Sequence, residues 1–358
     1  TPAISLRAYS APDIGKAGSA PHLNLEWRNV MTRKMLSKSL AFAAGTAACI
    51  GIASAQGAAD SPGAVLDTLE IPVTVDNFVQ AATDFEFRKY QAFAKGVNQF
   101  IHVRAPVSVD KQPTVRMNRD THYSIAVINI SEGATLHLPD MGERYVSAQV
   151  VNQDHYMNEI FSGGGDHEMT VDIFDTPFVL VIVRTLVDSS DPEDLAAVNA
   201  LQDQMAITAG ADAPFVATNY DEESFDAVLQ AAKELGRFNP DSIRNFGPKG
   251  EVEPIRYFLA AAGGWGGLPE SEAVYLNVEP GLPVGEYKIE VPADVPTGEF
   301  WSVSLYNADG FFEENALGAY NVNSVTGTPN DDGSMTVHLG GCDDDRVNCL
   351  PIIDGWNY

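Results

Sequence analysis

Phe178 to Val183 is an uninterrupted apolar run. Its length and β-branched content mark a strand, and the apolar residues fall on both parities, as in a strand buried on both faces. A chain with such a strand must cover two sides of a sheet. One cover is expected just upstream. Asp76 can cap a helix in which Phe78, Ala82, Phe85, Tyr90 and Phe93 keep helical spacing, with their aromatic rings in the core. Further strands are expected over Ser124 to Ile130 and Tyr145 to Val151, with a short one over Thr135 to Leu138 and a turn from Pro139 to Gly142. Gly163, Gly164 and Gly165 lack the strand–loop–helix setting of a phosphate loop and read as a flexible loop.

The period then changes. Asp191, Pro192, Glu193 and Asp194 form a helix start with cap, first-position proline and acidic first turn, continued by Leu195, Val198, Leu201 and Met205. A second helix begins near Asp221, buries Phe225, Val228, Leu229 and Leu235, and stops at Gly236. Residues 237–267 are mixed, and Gly263 to Gly267 reads as a hinge or tight loop. From Glu272 the chain is β again. Tyr287, Ile289 and Val291 alternate with charged residues, Phe300 to Tyr306 and Ser334 to Leu339 are further strands, and Asn330 to Gly333 is a hairpin turn. The expected fold is mainly β with flanking helices (α+β): two β-sandwich or jelly-roll-like lobes joined by a helical segment.

The first 55 residues are set apart from that fold. Met31 to Lys38 is basic, Leu40 to Ile52 is an alanine-rich apolar run, and Ala53-Ser54-Ala55 fits the small-residue cleavage rule. This is the order of a secretory signal peptide, cleaved after about Ala55. The apolar run of 13 residues is shorter than the roughly 20 a membrane span needs. Residues 1–30 read as an unfolded upstream extension, 31–55 as the signal, and 56–72 as a linker. Residues 73–190 form an N-terminal β-rich domain with its leading helix, 191–267 a helical connector, and 268–358 a C-terminal β-sandwich.

The formal net charge is −27, and loss of residues 1–55 removes six basic residues but only two acidic ones. Such acidity repels nucleic acid and anionic membrane, and it suits a periplasmic or secreted protein. Cys49 leaves with the signal. Cys342 and Cys349, seven apart in an exported chain, favour a local disulfide. No second Cys/His cluster completes a zinc site, and no cofactor is expected.

Two series of motifs resemble a known pair of bacterial domains of unknown function. Residues 73–205 are similar to the domain numbered 1254. The match rests on Asn118, Asp120, Thr121, Tyr123 and Ser124, the Leu138-Pro139-Asp140 turn, Arg144 and Tyr145 with Gln149, and Arg184-Thr185. Residues 268–358 resemble its usual partner, number 1214. That match rests on Phe300 to Val303, Leu305, Tyr306, Asp309, Gly310, Asn315, Tyr320, Asp332 to Ser334 and Asn348 to Pro351. The resemblance implies an exported bacterial protein of two β-rich lobes with no settled activity. Two departures stand out. Cys349 replaces an expected tryptophan, and the strand expected after Trp356 is absent, which leaves the completeness of the C-terminal lobe open.

The candidate site follows from polar groups at strand ends. Asn118, Asp120, Thr121 and Tyr123 sit just before a strand, where side chains either converge on a site or bond their own turn. Tyr145, Ser147 and Gln149 share one strand face. Arg184 emerges on the parity of Leu180 and Ile182, so its guanidinium needs an anion, either an internal carboxylate such as Asp120 or a ligand. His122, His155 and His167 show no metal spacing, and the Asp343–Asp345 run lacks the calcium-loop rhythm.

Two readings remain. In the first, Asn118, Tyr123, Gln149, Tyr156, Arg184 and Tyr306 line an inter-lobe cleft that binds a polyol, sugar acid or small carboxylate. In the second, Asp120, Tyr123, His155 and Arg184 catalyse in the same cleft as a metal-independent hydrolase or lyase. No Gly-x-Ser-x-Gly elbow is present. Neither reading sets the oligomeric state.

Overall fold

The structure is a computed structural model that describes residues 3–5 and 69–358 apart from 113–114 and 345. The expected signal peptide and most of the upstream extension therefore lie outside the described residues. Strand β1 (Ala3–Ser5) pairs parallel with a C-terminal strand, so three residues of the excluded stretch meet the fold.

The chain then runs through helix α1 (Phe78–Ala94) and strands β2 (Ile101–His102), β3 (Thr121–Asn129), β4 (Ala134–Leu138), β5 (Val146–Asn152), β6 (Ile160–Ser162) and β7 (Gly165–Met169). Next come α2 (Val171–Phe174), β8 (Phe178–Leu186), α3 (Pro192–Gln202), β9 (Ala206–Ala209), α4 (Glu222–Gly236) and α5 (Pro254–Gly264). The C-terminal part holds β10 (Tyr287–Val291), β11 (Ser302–Ser304), β12 (Asn321–Asn323), β13 (Met335–Leu339) and β14 (Cys349–Leu350). The protein is mainly β with helices, in several sheets whose pairings are mostly antiparallel.

The apolar strand β8 is the centre of a five-stranded sheet ordered β2-β3-β8-β5-β6. Both its faces are covered, which is why it tolerates no polar residue before Arg184. On one face Tyr123, Ile125, Val127, Leu180 and Ile182 pack against Phe78, Phe87 and Trp265 from α1 and the end of α5. On the other, Ala126, Ile128, Ala148, Val150, Val179, Val181 and Val183 meet Leu136, Leu138 and Met169 of the three-stranded sheet β7-β4-β9. The period of two along each strand splits these residues into the two cores.

The glycine run is a corner rather than a loose loop. β6 belongs to the five-stranded sheet and β7 to the three-stranded one, with only Gly163 and Gly164 between them. Gly163 has φ +77°, and a Cβ on Gly164 would lie 2.3 Å from the Pro139 carbonyl oxygen. Only glycine fits so close a backbone approach.

Other departures are local. Asn77, not Asp76, precedes α1. Leu235 is 57 % exposed rather than buried. The stretch read as mixed contains α5, with Glu253 as its cap, bonded to the Arg256 N–H, and Pro254 in its first turn. This is the same start signal that located α3, where Asp191 accepts from the Glu193 N–H. The glycines that end α5 hid it, because Gly263 to Gly267 read as a loop.

In the C-terminal lobe β1-β10-β13-β14 form one sheet and β11-β12 a short second one. Tyr287, Ile289, Val291, Val337, Leu339, Leu350 and Trp356 form its core. The expected disulfide joins Cys342 to Cys349. No helix among the described residues is long and apolar enough to cross a membrane.

Candidate functional site

Register places three site residues in one row. Tyr123 on β3 pairs with Arg184 on β8, and Arg184 pairs with Ser147 on β5. All three project toward the helix-covered face, since Ile125 and Ile182 of the same parities do. Arg184 is 5 % exposed. Its Nη1 donates to Gln149 Oε1 at 2.7 Å, and its Cζ lies 5.6 Å from the Tyr123 ring centroid. Gln149 is fully buried, and its Nε2 donates to the Gly266 and Gly267 carbonyls, both at 3.0 Å. The loop after α5 thus orients the amide, and the amide orients the guanidinium. Beside them the Tyr145 hydroxyl donates to Ser147 Oγ at 2.8 Å.

Asp120 does not pair with Arg184. Its Oδ1 accepts from Asn321 Nδ2 at 2.6 Å and Asn323 Nδ2 at 2.9 Å, both from β12 of the other lobe. Burial holds its carboxyl above the usual carboxylate range, opposed by hydrogen bonds from Asn323, Ser302 and Asn321. Among the described residues no carboxylate forms an ion pair with Arg184, so the internal counter-ion expected for it is replaced by a neutral amide.

The residues just before β3 reach into the same seam. Asn118 Nδ2 donates to Thr121 Oγ1 at 2.7 Å and to the Tyr123 hydroxyl at 3.2 Å, and its Oδ1 accepts from the Asp120 N–H at 2.6 Å. The segment therefore ties its own turn and also bonds the Tyr123 hydroxyl. From the C-terminal lobe the Tyr306 hydroxyl donates to the Met117 carbonyl at 3.1 Å. Met117, Tyr306 and Phe312 form a small apolar cluster across the seam.

Tyr275 completes the surroundings of Arg184. As a whole residue it is 47 % exposed, yet desolvation raises its phenol, which feels Arg184, Tyr123 and Tyr145. Burial likewise pushes up the Tyr306 phenol, which feels Asp120, Arg116 and Tyr275. Both hydroxyls stay protonated at neutral pH and can donate hydrogen bonds.

His155 and Tyr156 come from beyond the end of β5. They follow β5, whose last residue Asn152 is five positions beyond Ser147, about 16 Å along a strand. His155 is 1 % exposed, and its Nε2 accepts from the Gly266 N–H at 3.0 Å. Its ring stacks on Trp265 at 5.0 Å. Desolvation lowers its pKa to about 3. Tyr156 stacks on Tyr257 at 5.1 Å. Gly266 thus links His155 to Gln149, since its N–H bonds the one and its carbonyl the other, while Tyr156 packs on α5.

Sequence reasoning missed Asn321, Asn323 and Tyr275. The two asparagines sit two apart on one strand, hence on one face, and that spacing was a readable signal. Tyr275 stands in a segment without periodicity and gave none.

A β-rich protein of two lobes joined through a polar seam is what these features define. Residues 97–172 match the family model described as Protein of unknown function (DUF1254), and residues 282–358 match Protein of unknown function (DUF1214). The chain thus carries, in order, the two domains its motifs resemble. Comparison with curated proteins found no match. Among solved structures, the VPA0106 protein from Vibrio parahaemolyticus is 17 % identical, with 79 % of this chain and 94 % of that one covered at a TM-score of 0.57, a likeness of fold. An uncharacterized protein from Burkholderia cenocepacia is 13 % identical over 79 % of this chain and 82 % of its own, with a TM-score of 0.40.

Proposed function

We propose that this chain is an exported protein that binds a small anionic ligand, of the carboxylate or sugar-acid class, at the seam between its lobes. The observation that carries this reading is Arg184: a buried guanidinium held in place by the Gln149 amide with no carboxylate paired to it among the described residues. A buried cation without a counter-ion is costly unless an anion completes it, and the planar guanidinium fork matches a carboxylate. The phenol of Tyr275, raised by burial, supplies a donor of the kind that sugar hydroxyls and carboxylates accept, while the Tyr306 hydroxyl is given to the Met117 carbonyl. Export is supported by the leader-like first 55 residues and by the Cys342–Cys349 bond.

Thermal unfolding of the mature chain against sugar acids, carboxylates and phosphates tests the proposal. A ligand at a hundred times its Kd is expected to raise Tm by about 4 °C. The rise should vanish in Arg184→Ala. A rise of the same size in that variant would remove the site from the seam.

The hydrolase or lyase alternative draws on the same residues and is less well supported. His155 faces the Gly266 N–H, and Asp120 is occupied by two amides. Turnover of esters of any ligand that binds would favour it.

A further inference from the structure

A second buried guanidinium stands at the seam. The Arg116 side chain is 8 % exposed, and its Nη2 forms a salt bridge with Glu279 Oε1 at 3.7 Å. Its Nε and Nη1 are buried and have no hydrogen-bond partner among the described residues. Its backbone is in the left-handed region, φ +53°, and its N–H donates across the seam to the Gly310 carbonyl at 2.7 Å. A non-glycine residue held there is strained, and strain that aims an under-bonded buried group is characteristic of binding sites.

Short contacts connect Arg116 to Arg184. Arg116 Cζ lies 5.5 Å from the Tyr306 ring, and the Tyr306 hydroxyl bonds the carbonyl of the next residue, Met117. Asn118 follows and bonds the hydroxyl of Tyr123, the ring on which Arg184 rests. The two guanidiniums thus bracket one stretch of the seam, with tyrosines between them.

We infer that the ligand at the seam is a dianion, a dicarboxylate or sugar diacid, with one carboxylate on Arg184 and the other on Arg116. The inference rests on the Arg184 reading and adds the second charge. A monoanion leaves the two Arg116 donors buried and unbonded, the unfavourable state for such groups. The chain is strongly acidic overall, so a dianion is held by groups in contact with it rather than by the field of the whole surface.

Calorimetric titration of the mature chain with matched pairs, such as gluconate against glucarate and butyrate against succinate, tests this. The diacid of at least one pair should bind tenfold or more tightly than its monoacid. Arg116→Met should lower diacid affinity tenfold or more and abolish that preference. Arg116→Lys should restore part of it, and Arg184→Met should weaken both ligands. A folded Arg116→Met protein, judged by its melting curve, keeps the comparison valid, and Arg116→Lys serves if it does not fold. Equal binding of monoacid and diacid, lost in Arg184→Met, would overturn the dianion inference and leave the Arg184 site standing. No binding of either acid would overturn both.

Discussion

Asn323 donates to Asp120 at 2.9 Å although 203 residues separate them in the chain. With Asn321 at 2.6 Å, this bond fastens the N-terminal sheet to the C-terminal lobe at the point where Arg116, Asn118 and Tyr306 also meet. The seam is therefore a joint as well as the proposed site, and changes at Asp120 should be read in stability before they are read in binding.

Asp120→Ala leaves two amides without their acceptor and should cost about 2–3 kcal/mol in denaturant unfolding. Asp120→Asn keeps an oxygen acceptor and removes the charge. Burial raises the Asp120 pKa in the folded state, so between the unfolded carboxylate pKa and that raised value the folded chain holds the extra proton. The wild type is then penalised above its folded pKa and recovers as pH falls through it. Asp120→Asn should therefore match or exceed wild-type stability at pH 7, with the advantage shrinking toward pH 4. An advantage that grew in acid would mean that Asp120 is ionised at no penalty.

Gln149→Glu gives Arg184 an internal carboxylate. It also deprives the Gly266 and Gly267 carbonyls of their donor, which should cost about 1–3 kcal/mol. If Arg184 is free to take a ligand anion because its neighbour is neutral, this variant should lose ligand-induced stabilisation although Arg184 is intact. Thermal shift with the best wild-type ligand measures it, and an undiminished shift would place the anion elsewhere.

Much of this geometry was legible in the chain because it follows strict alternation. The apolar run from Phe178 announced a doubly covered strand, and parity put Ser147 with Gln149 and Arg184 with Leu180 and Ile182; the pairing of β5 with β8 then made these one face. What parity cannot give is distance along the strand. Gln149 and Tyr156 look like neighbours in sequence, yet Tyr156 is carried past the far end of β5 and beneath α5, where it stacks on Tyr257. Nor does local pattern reveal which of two acceptors a buried arginine takes. The choice of Gln149 over Asp120 was set by Asn321 and Asn323, which arrive from another lobe.

Reduction of the Cys342–Cys349 bond opens a loop of sequence separation 7. Chain entropy for so short a loop is worth about 2 kcal/mol. Cys342→Ser with Cys349→Ser should lower the stability of the C-terminal lobe by roughly that amount, and added reductant should lower the wild type but not the variant. Equal sensitivity of both to reductant would rule out the bond as the cause.

His155 sets the acid limit of the N-terminal lobe. Its folded pKa is lowered to about 3 by desolvation, below the ordinary histidine value near 6.5. Between those values the unfolded chain binds a proton that the folded chain refuses. The stabilisation is fully present above pH 6.5 and is lost as pH falls toward 3. At pH 5 the loss from one such histidine is about 2 kcal/mol. His122, lowered to about 4 by burial, acts in the same sense, while Asp120 acts in the opposite one. Asn tolerates the left-handed backbone at this position, φ +66°, so His155→Asn removes the titration without imposing new strain. The variant should be less stable than the wild type at pH 7 because the stack on Trp265 is lost. Its deficit should narrow by about 2 kcal/mol at pH 5. Parallel stability–pH curves for the two proteins, measured by urea unfolding, would show instead that His155 takes up its proton within the folded state.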